Sequence, residues 1–151
     1  MSLSKPNHYF QTKFNLKSLT LEEMVLVKKG TEYLKQFHDS TFDWEPGNNY
    51  LFIYDLKNME NGINKPLGFI IYYLFHNNTK IFISKIFIEA KYRRNKLGRQ
   101  LIDHLRESYP NLPIQSGVDI KNKKSYKFFN SIPNCNPVVT IFELEKLEEK
   151  K

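Results

Sequence analysis

Apolar and polar positions along this chain follow two periods, and each period predicts its own kind of element. Residues 1–19 are mixed polar and aromatic, with Phe10, Phe14 and Leu16 suited to a short edge strand. Thr20-Leu21-Glu22-Glu23 then forms a capping box, in which the Thr20 hydroxyl accepts from an early helical N–H and Glu23 reaches back to the cap. The helix runs to about Phe37 or His38, with Leu26, Tyr33, Leu34 and Phe37 on one face. Gly30 lies among them and allows a neighbour to approach closely. Residues 39–49 (DSTFDWEPGNN) are rich in turn formers and predict a loop.

Three strand-like runs follow: Tyr50–Tyr54, Leu67–Phe75 and Ile81–Ile88. Asn61-Gly62 with Asn64, and His76-Asn77-Asn78, connect them, so they read as an antiparallel meander. The second and third runs are too continuously apolar for a sheet with one wet face, so both faces are expected to be covered. Lys91 to Lys96 is a basic loop. A helix then starts near Leu97, buries Leu97, Leu101, Ile102 and Leu105, and stops before Pro110. Ile114–Ile120 is a short strand, Asn122–Ile132 a third helix carrying Tyr126, Phe128 and Phe129, and Val138–Leu144 a last strand. A charged tail frays from Glu145 onward. With neither repeat nor linker, residues 1–151 read as one α/β domain built on a mixed sheet flanked by helices.

Composition narrows the class. Aromatics reach 15%, which excludes a disordered chain, and one cysteine among 151 residues excludes an intrachain disulfide framework and a cysteine-cluster zinc site. No run approaches the length needed to span a bilayer, so the expectation is a soluble cytoplasmic protein of a reducing compartment. Charge is uneven. Residues 80–130 hold 12 of the 23 Lys and Arg but only 4 of the 16 acids, so the whole net charge of +7 is concentrated there. Localised positive charge attracts phosphates, whether on a nucleotide cofactor or on nucleic acid, and is otherwise a solvated surface.

The informative segment is Ile86 to Leu101, IFIEAKYRRNKLGRQL. A buried strand enters a basic loop and then a helix with Gly98 in its first turn. The first N–H groups of a helix lack partners within it and carry partial positive charge, so such a turn is an anion site. Gly98 leaves the backbone open, and Arg93, Arg94, Lys96 and Arg99 add charge at the rim. This segment resembles the acetyl-CoA site of the GNAT N-acetyltransferase family, whose loop reads Q/R-x-x-G-x-G/A. Arg93 holds the first position and Gly98 the last, while Lys96 stands where the family usually has its middle glycine. A lysine cannot take a positive φ there at low cost. Downstream, Asn122-Lys123-Lys124-Ser125-Tyr126-Lys127-Phe128-Phe129 resembles the family's second cofactor motif, N-x-x-A-x-x-F-Y, with Phe129 in place of the tyrosine.

The resemblance covers roughly residues 20–144 and implies acetyl-CoA as cofactor and an N-acetyltransferase fold and activity. By that resemblance, backbone groups of Ile86, Phe87 and Ile88 hold the pantetheine arm like an added strand. The loop from Arg94 through Asn95, Lys96, Leu97 and Gly98 to Arg99 cradles the pyrophosphate. Asn122 contacts the arm beside small Ser125, and Phe128 and Phe129 pack near the thioester. The third strand of the meander and the Ile114–Ile120 strand splay to admit the cofactor. Lys121, Lys123 and Lys124 either neutralise its 3′-phosphate or are plain surface.

The catalytic pattern is incomplete. Many relatives supply a tyrosine acid where this chain has Phe129, which has no proton to donate. The positions aligned with the usual carboxylate base are Ser84 and Gly117. Two substitutes are Asp119, on the same side of its strand as Gly117, and Tyr126, one helical turn before Phe129. Asp119 alternatively caps the following helix, and Tyr126 alternatively packs in the core. Trp44, flanked by Asp43 and Glu45, lies where this fold builds its acceptor pocket, and either receives a cationic amine or plugs the loop. His8, His38, His76 and His104 lack metal-site spacing, and Cys135 lacks a partner base. The leading expectation is therefore transfer from acetyl-CoA to a primary amine, on a small molecule or a peptide, by direct attack. The alternatives are an acyl-CoA-binding module of the same fold and a basic nucleic-acid-binding domain, the latter opposed by aromatics at core-like spacing. A homodimer through an exposed sheet edge is left open.

Overall fold

The computed structural model describes residues 7–36, 42–117 and 122–135. Its centre is a sheet of five strands in the order β1-β2-β3-β4-β5. They are β1 (His8–Lys13), β2 (Asn49–Asp55), β3 (Gly68–Phe75), β4 (Lys80–Ile88) and β5 (Ile114–Ser116). The first four pair antiparallel in succession, and β5 lies parallel to β4. The helices are α1 (Leu21–Leu34), α2 (Leu56–Glu60), α3 (Leu97–Ser108) and α4 (Lys123–Asn130). The meander, the first cap and the start of α3 fall where the sequence predicts. The first helix ends at Leu34, short of the expected Phe37 or His38, and the fifth strand ends at Ser116, with Gly117 already outside it; residues 37, 38 and 118–120, the strand at Val138–Leu144 and the tail lie outside the described residues.

Three local expectations shift. β1 ends at Lys13, so Phe14 is two-thirds exposed and Leu16 opens a short 3₁₀ turn capped by Asn15. The connection from β2 to β3 is more than a turn. Asp55 caps α2 by accepting from Asn58 N–H at 3.1 Å, and Gly62 takes φ 78° just past its end. Five residues show too little periodicity for such a helix to be read from sequence. The third helix begins one residue late because Asn122 serves as its cap.

Both sheet faces are covered, which explains the continuous apolar runs. On one face Leu51, Ile53, Ile70, Tyr72, Ile81 and Ile83 pack against Leu97, Leu101, Ile102 and Leu105 of α3. On the other, Tyr50, Phe52, Tyr54, Phe69, Ile71 and Phe87 pack against Leu26 and Val27 of α1. Each such side chain contributes about 1.5–3 kcal/mol of transfer free energy. The capping box at Thr20 extends into the second layer. Glu23 Oε1 accepts from Thr20 N–H at 2.7 Å, and its Oε2 accepts from the Tyr54 hydroxyl at 2.5 Å. Burial, then the Glu23 hydrogen bond, pushes the Tyr54 phenol far up, so it remains a donor. His104 of α3 stacks on Phe10 of β1 at 4.4 Å, where burial lowers its imidazole below the ordinary value.

β4 carries the decisive irregularity. Its pairing with β3 shifts between Ile71 and Tyr72, so that Ser84 is the extra residue of a β-bulge. Before the bulge, Ile81 and Ile83 face α3. After it the parity reverses, and Phe87 faces α1 while Ile86 and Ile88 face α3. Lys85 is thereby turned toward α1, where it is buried and ion-paired with Asp43. Asp43 also takes a hydrogen bond from the Thr31 hydroxyl, and its carbonyl accepts from the Tyr50 hydroxyl at 2.6 Å.

Two substitutions probe this packing. A Cβ on Gly30 would meet the Phe69 ring at 2.7 Å, so Gly30→Ala is expected to lose about 1–3 kcal/mol in urea unfolding through overpacking. A Gly30→Ala protein as stable as the parent would show that α1 sits farther from the sheet. Lys85→Ala strands a buried carboxylate and is expected to cost about 3–5 kcal/mol, whereas the double variant Lys85→Met, Asp43→Leu loses far less. Equal losses in the single and double variants would contradict a desolvated pair.

Candidate cofactor site

The parallel ladder between β4 and β5 is short. It joins Ile81–Ile83 to Ile114–Ser116, and β4 then continues to Ile88 without a partner among the described residues on that edge. Residues 118–120, over which the two strands are expected to splay, lie outside the described residues. Glu89 N–H donates to Leu67 O at 2.9 Å, which makes Leu67 and Glu89 a hydrogen-bonded pair. By antiparallel alternation Phe87 also points its backbone at β3, while Ile86 and Ile88 point theirs to the open edge. Of the three residues expected at the strand edge, Ile86 and Ile88 are thus the two whose backbones face it. Phe87 offers its ring instead, because its backbone is spent in the sheet.

Beyond Ile88 the chain makes a short 3₁₀ turn at Ala90–Tyr92 and reaches α3 through two left-handed residues, Arg94 (φ 70°) and Lys96 (φ 59°). The sequence argues against a positive φ at Lys96, yet the backbone adopts the conformation that the missing glycine would have taken. It does so because the loop must reverse within a few residues to aim the first turn of α3 at the cavity. No side chain caps α3, whereas Thr20 caps α1 and Asn122 caps α4. The leading N–H groups of α3 are thus left with their partial positive charge.

These elements enclose a cavity of about 560 Å³. Its walls come from β4, the loop, the start of α3 and one face of α4, closed by Tyr33 and Leu34 at the end of α1. Five cationic side chains line it (Arg93, Arg94, Lys96, Arg99 and Lys124), and no carboxylate does among the described residues. Ile86, Phe87, Ile88, Leu97, Gly98, Asn122, Ser125 and Phe128 complete most of the rest. The two sequence motifs thus meet in one space.

Several expected residues stand elsewhere or do something else. Asn95 donates to Tyr92 O at 3.3 Å and lines a separate cavity behind the loop. Phe129 is absent from this lining and packs on the α3-side core beside Phe128, their rings 5.1 Å apart. Tyr126 is 53% exposed and does not line the cavity, because one residue along a helix turns the side chain by about 100° from Ser125. It is not core packing either. Asn122 accepts from Ser125 N–H at 3.1 Å, so the capping role considered for Asp119 belongs to Asn122. Asp119 lies outside the described residues. Trp44 packs on the α1-side core, and Asp43 is held by Lys85, so that acid is taken. A Cβ on Gly98 would stand 3.2 Å from the Phe128 ring, so the glycine also lets α4 close on α3.

Sequence reasoning assigned Tyr33 and Leu34 to a helix core face and missed them as cavity walls. Only the tertiary fold brings the end of α1 against β4. Arg93 is held in place there. Its Nε donates to Ile88 O at 2.9 Å, and its guanidinium lies over the rings of Tyr33 at 4.7 Å and Phe87 at 5.5 Å.

Relief of the strain at Lys96 is measurable. Lys96→Gly is expected to stabilise the chain by about 0.5–1 kcal/mol, the left-handed cost less the extra freedom of an unfolded glycine. A lower thermal midpoint for Lys96→Gly would show that the lysine side chain itself holds the loop.

The same fold appears in known proteins. An aminoglycoside acetyltransferase from an uncultured soil metagenomic sample superposes with a TM-score of 0.66 at 11% identity, over 94% of this chain and 97% of that one. A ribosomal-protein-alanine N-acetyltransferase from Brucella melitensis biovar Abortus 2308 gives 0.61 at 13% identity, over 91% and 99%. An aminoglycoside N-acetyltransferase solved with CoA gives 0.61 at 13% identity, over 96% and 100%. At such identities the likeness is one of fold. No curated protein sequence matches the chain. The model of the acetyltransferase (GNAT) family, however, matches residues 16–131, and with that match spanning most of its length the chain belongs to this family.

Proposed function

We propose that this protein binds acetyl-CoA in the cavity at the start of α3 and transfers the acetyl group to a primary amine. The observation that carries this reading is the meeting of an uncapped helix N-terminus, five cations and an open strand edge in one cavity. Bare amides and cations suit a diphosphate. The free edge of β4 at Ile86 and Ile88 suits an arm bearing amides, as an added strand would. When bound, the cofactor supplies an acyl group activated as a thioester.

The chain's own part is mainly positioning. Leu97, Gly98 and Arg99 present backbone N–H groups, Lys124 and Arg94 balance charge, and Phe128 with Ile86 excludes water from the apolar wall. Phe129 has no proton to give, and the exposed Tyr126 stands away from the cavity. Those two facts favour a second reading, a protein of this fold that binds acyl-CoA and turns it over slowly or not at all.

Calorimetric titration with acetyl-CoA is expected to show one site whose affinity falls with added salt, and Lys124→Ala is expected to weaken it about three- to tenfold. Thiol release over a panel of small amines and peptide N-termini then separates the two readings, since the second predicts binding without release. Absence of acetyl-CoA binding, with salt-sensitive binding to a random oligonucleotide instead, would sink both.

A further inference from the structure

The loop pattern makes Arg93 a rim charge for phosphate, but its contacts point elsewhere. Its Nε is engaged by Ile88 O, and its guanidinium carbon stands 4.7 Å from the Tyr33 ring centre and 5.5 Å from that of Phe87, beside the two rings, which touch each other. Ile88 O is one of the edge groups that β3 leaves free. In the free protein the arginine thus satisfies a strand edge that would otherwise be open to water or to another chain. Phosphate recognition by arginine uses the fork of its guanidinium, and here one donor of that fork is spent on the strand edge.

Resting on the cofactor reading above, we propose that Arg93 is a specificity-determining stand-in for the pantetheine arm and not a phosphate ligand. Its side chain occupies the edge acceptor at Ile88. A ligand whose amide-bearing arm runs along β4 must displace the Nε–Ile88 hydrogen bond and, with it, the guanidinium's place beside the Tyr33 ring. A nucleotide without the arm leaves Arg93 where it is. The residue thereby sets the affinity ratio between CoA and its nucleotide head.

The test compares calorimetric affinities of CoA and of its nucleotide head lacking pantetheine, for the parent chain, Arg93→Met and Arg93→Lys. Removing the competing contact is expected to tighten CoA about three- to tenfold in Arg93→Met and leave the head unchanged, the size of one charge-assisted hydrogen bond traded for a neutral one. Arg93→Lys is expected to move the same way, because an ammonium has no Nε to bond Ile88 O from the arginine's position while its charge stays over the Tyr33 ring. It also keeps the test alive should Arg93→Met fold poorly. Parallel weakening of both ligands in Arg93→Met, with recovery in Arg93→Lys, would make Arg93 a phosphate ligand and overturn the proposal. Weakening of CoA alone would mean that Arg93 grips the arm, which overturns it too. If neither ligand binds the parent chain, the cofactor reading itself falls and takes this proposal with it.

Discussion

The bulge at Ser84 is the constraint on which the rest of the structure depends. A strand shows alternate residues to alternate faces, and one extra residue reverses that assignment for everything after it. Before Ser84, β4 feeds the α3 layer with Ile81 and Ile83. After it, Phe87 enters the α1 layer, and Lys85 is sent to the same side. A lysine inside an aromatic layer needs an anion, and Asp43 supplies one from the segment following α1. Replaced by apolar residues of similar size, such a pair would cost little, so its value lies in selecting a single seat for that segment. The described pairing of β4 with β5 ends at Ile83 and Ser116, just before the bulge, and the reversed parity leaves the backbones of Ile86 and Ile88 facing that edge.

Positive charge at the cavity has a second source besides side chains. α3 is left uncapped, so its own amides contribute, while the other two long helices spend a polar side chain on their first turn. Reaching that geometry costs backbone strain at Arg94 and Lys96, where glycine would be strain-free. The lysine brings a charge that glycine lacks. Strain and electrostatics are thus exchanged at one position, and this is the point at which the chain departs from the family pattern.

The departure at Phe129 has a different character. In the first layer it is an apolar side chain packed beside Phe128, and α4 presents Ser125 and Phe128 to the cavity in its place. Tyr126 cannot substitute from its side of the helix. Proton transfer, if this chain performs it, therefore depends on other groups or on water. The lining holds two phenols, Tyr92, which directly precedes Arg93 of the loop motif, and Tyr33, which no motif contains.

What the sequence determined by itself were elements with a strong local signal, the short α2 excepted. The apolar period placed β2, β3, β4 and α3. The Thr20–Glu23 box placed the start of α1, and the clustering of Lys and Arg after residue 80 marked the segment that supplies the cations lining the cavity. The two motifs named twelve residues that do line the cavity. What only the tertiary structure decided were facts about which face a residue meets and which distant residue it finds. The bulge reversed parity at Ser84 within IFISKIFI, and with apolar residues at both parities on each side, the sequence pattern does not tell which way Lys85 and Phe87 turn. The partners Asp43 for Lys85 and Tyr33 for Arg93 lie 42 and 60 residues away, and those contacts exist only once the sheet and its helices have closed. Lys96 is the sharpest case. Its local preference was read correctly and then overridden, because closing the loop onto α3 outweighs roughly a kilocalorie of backbone strain.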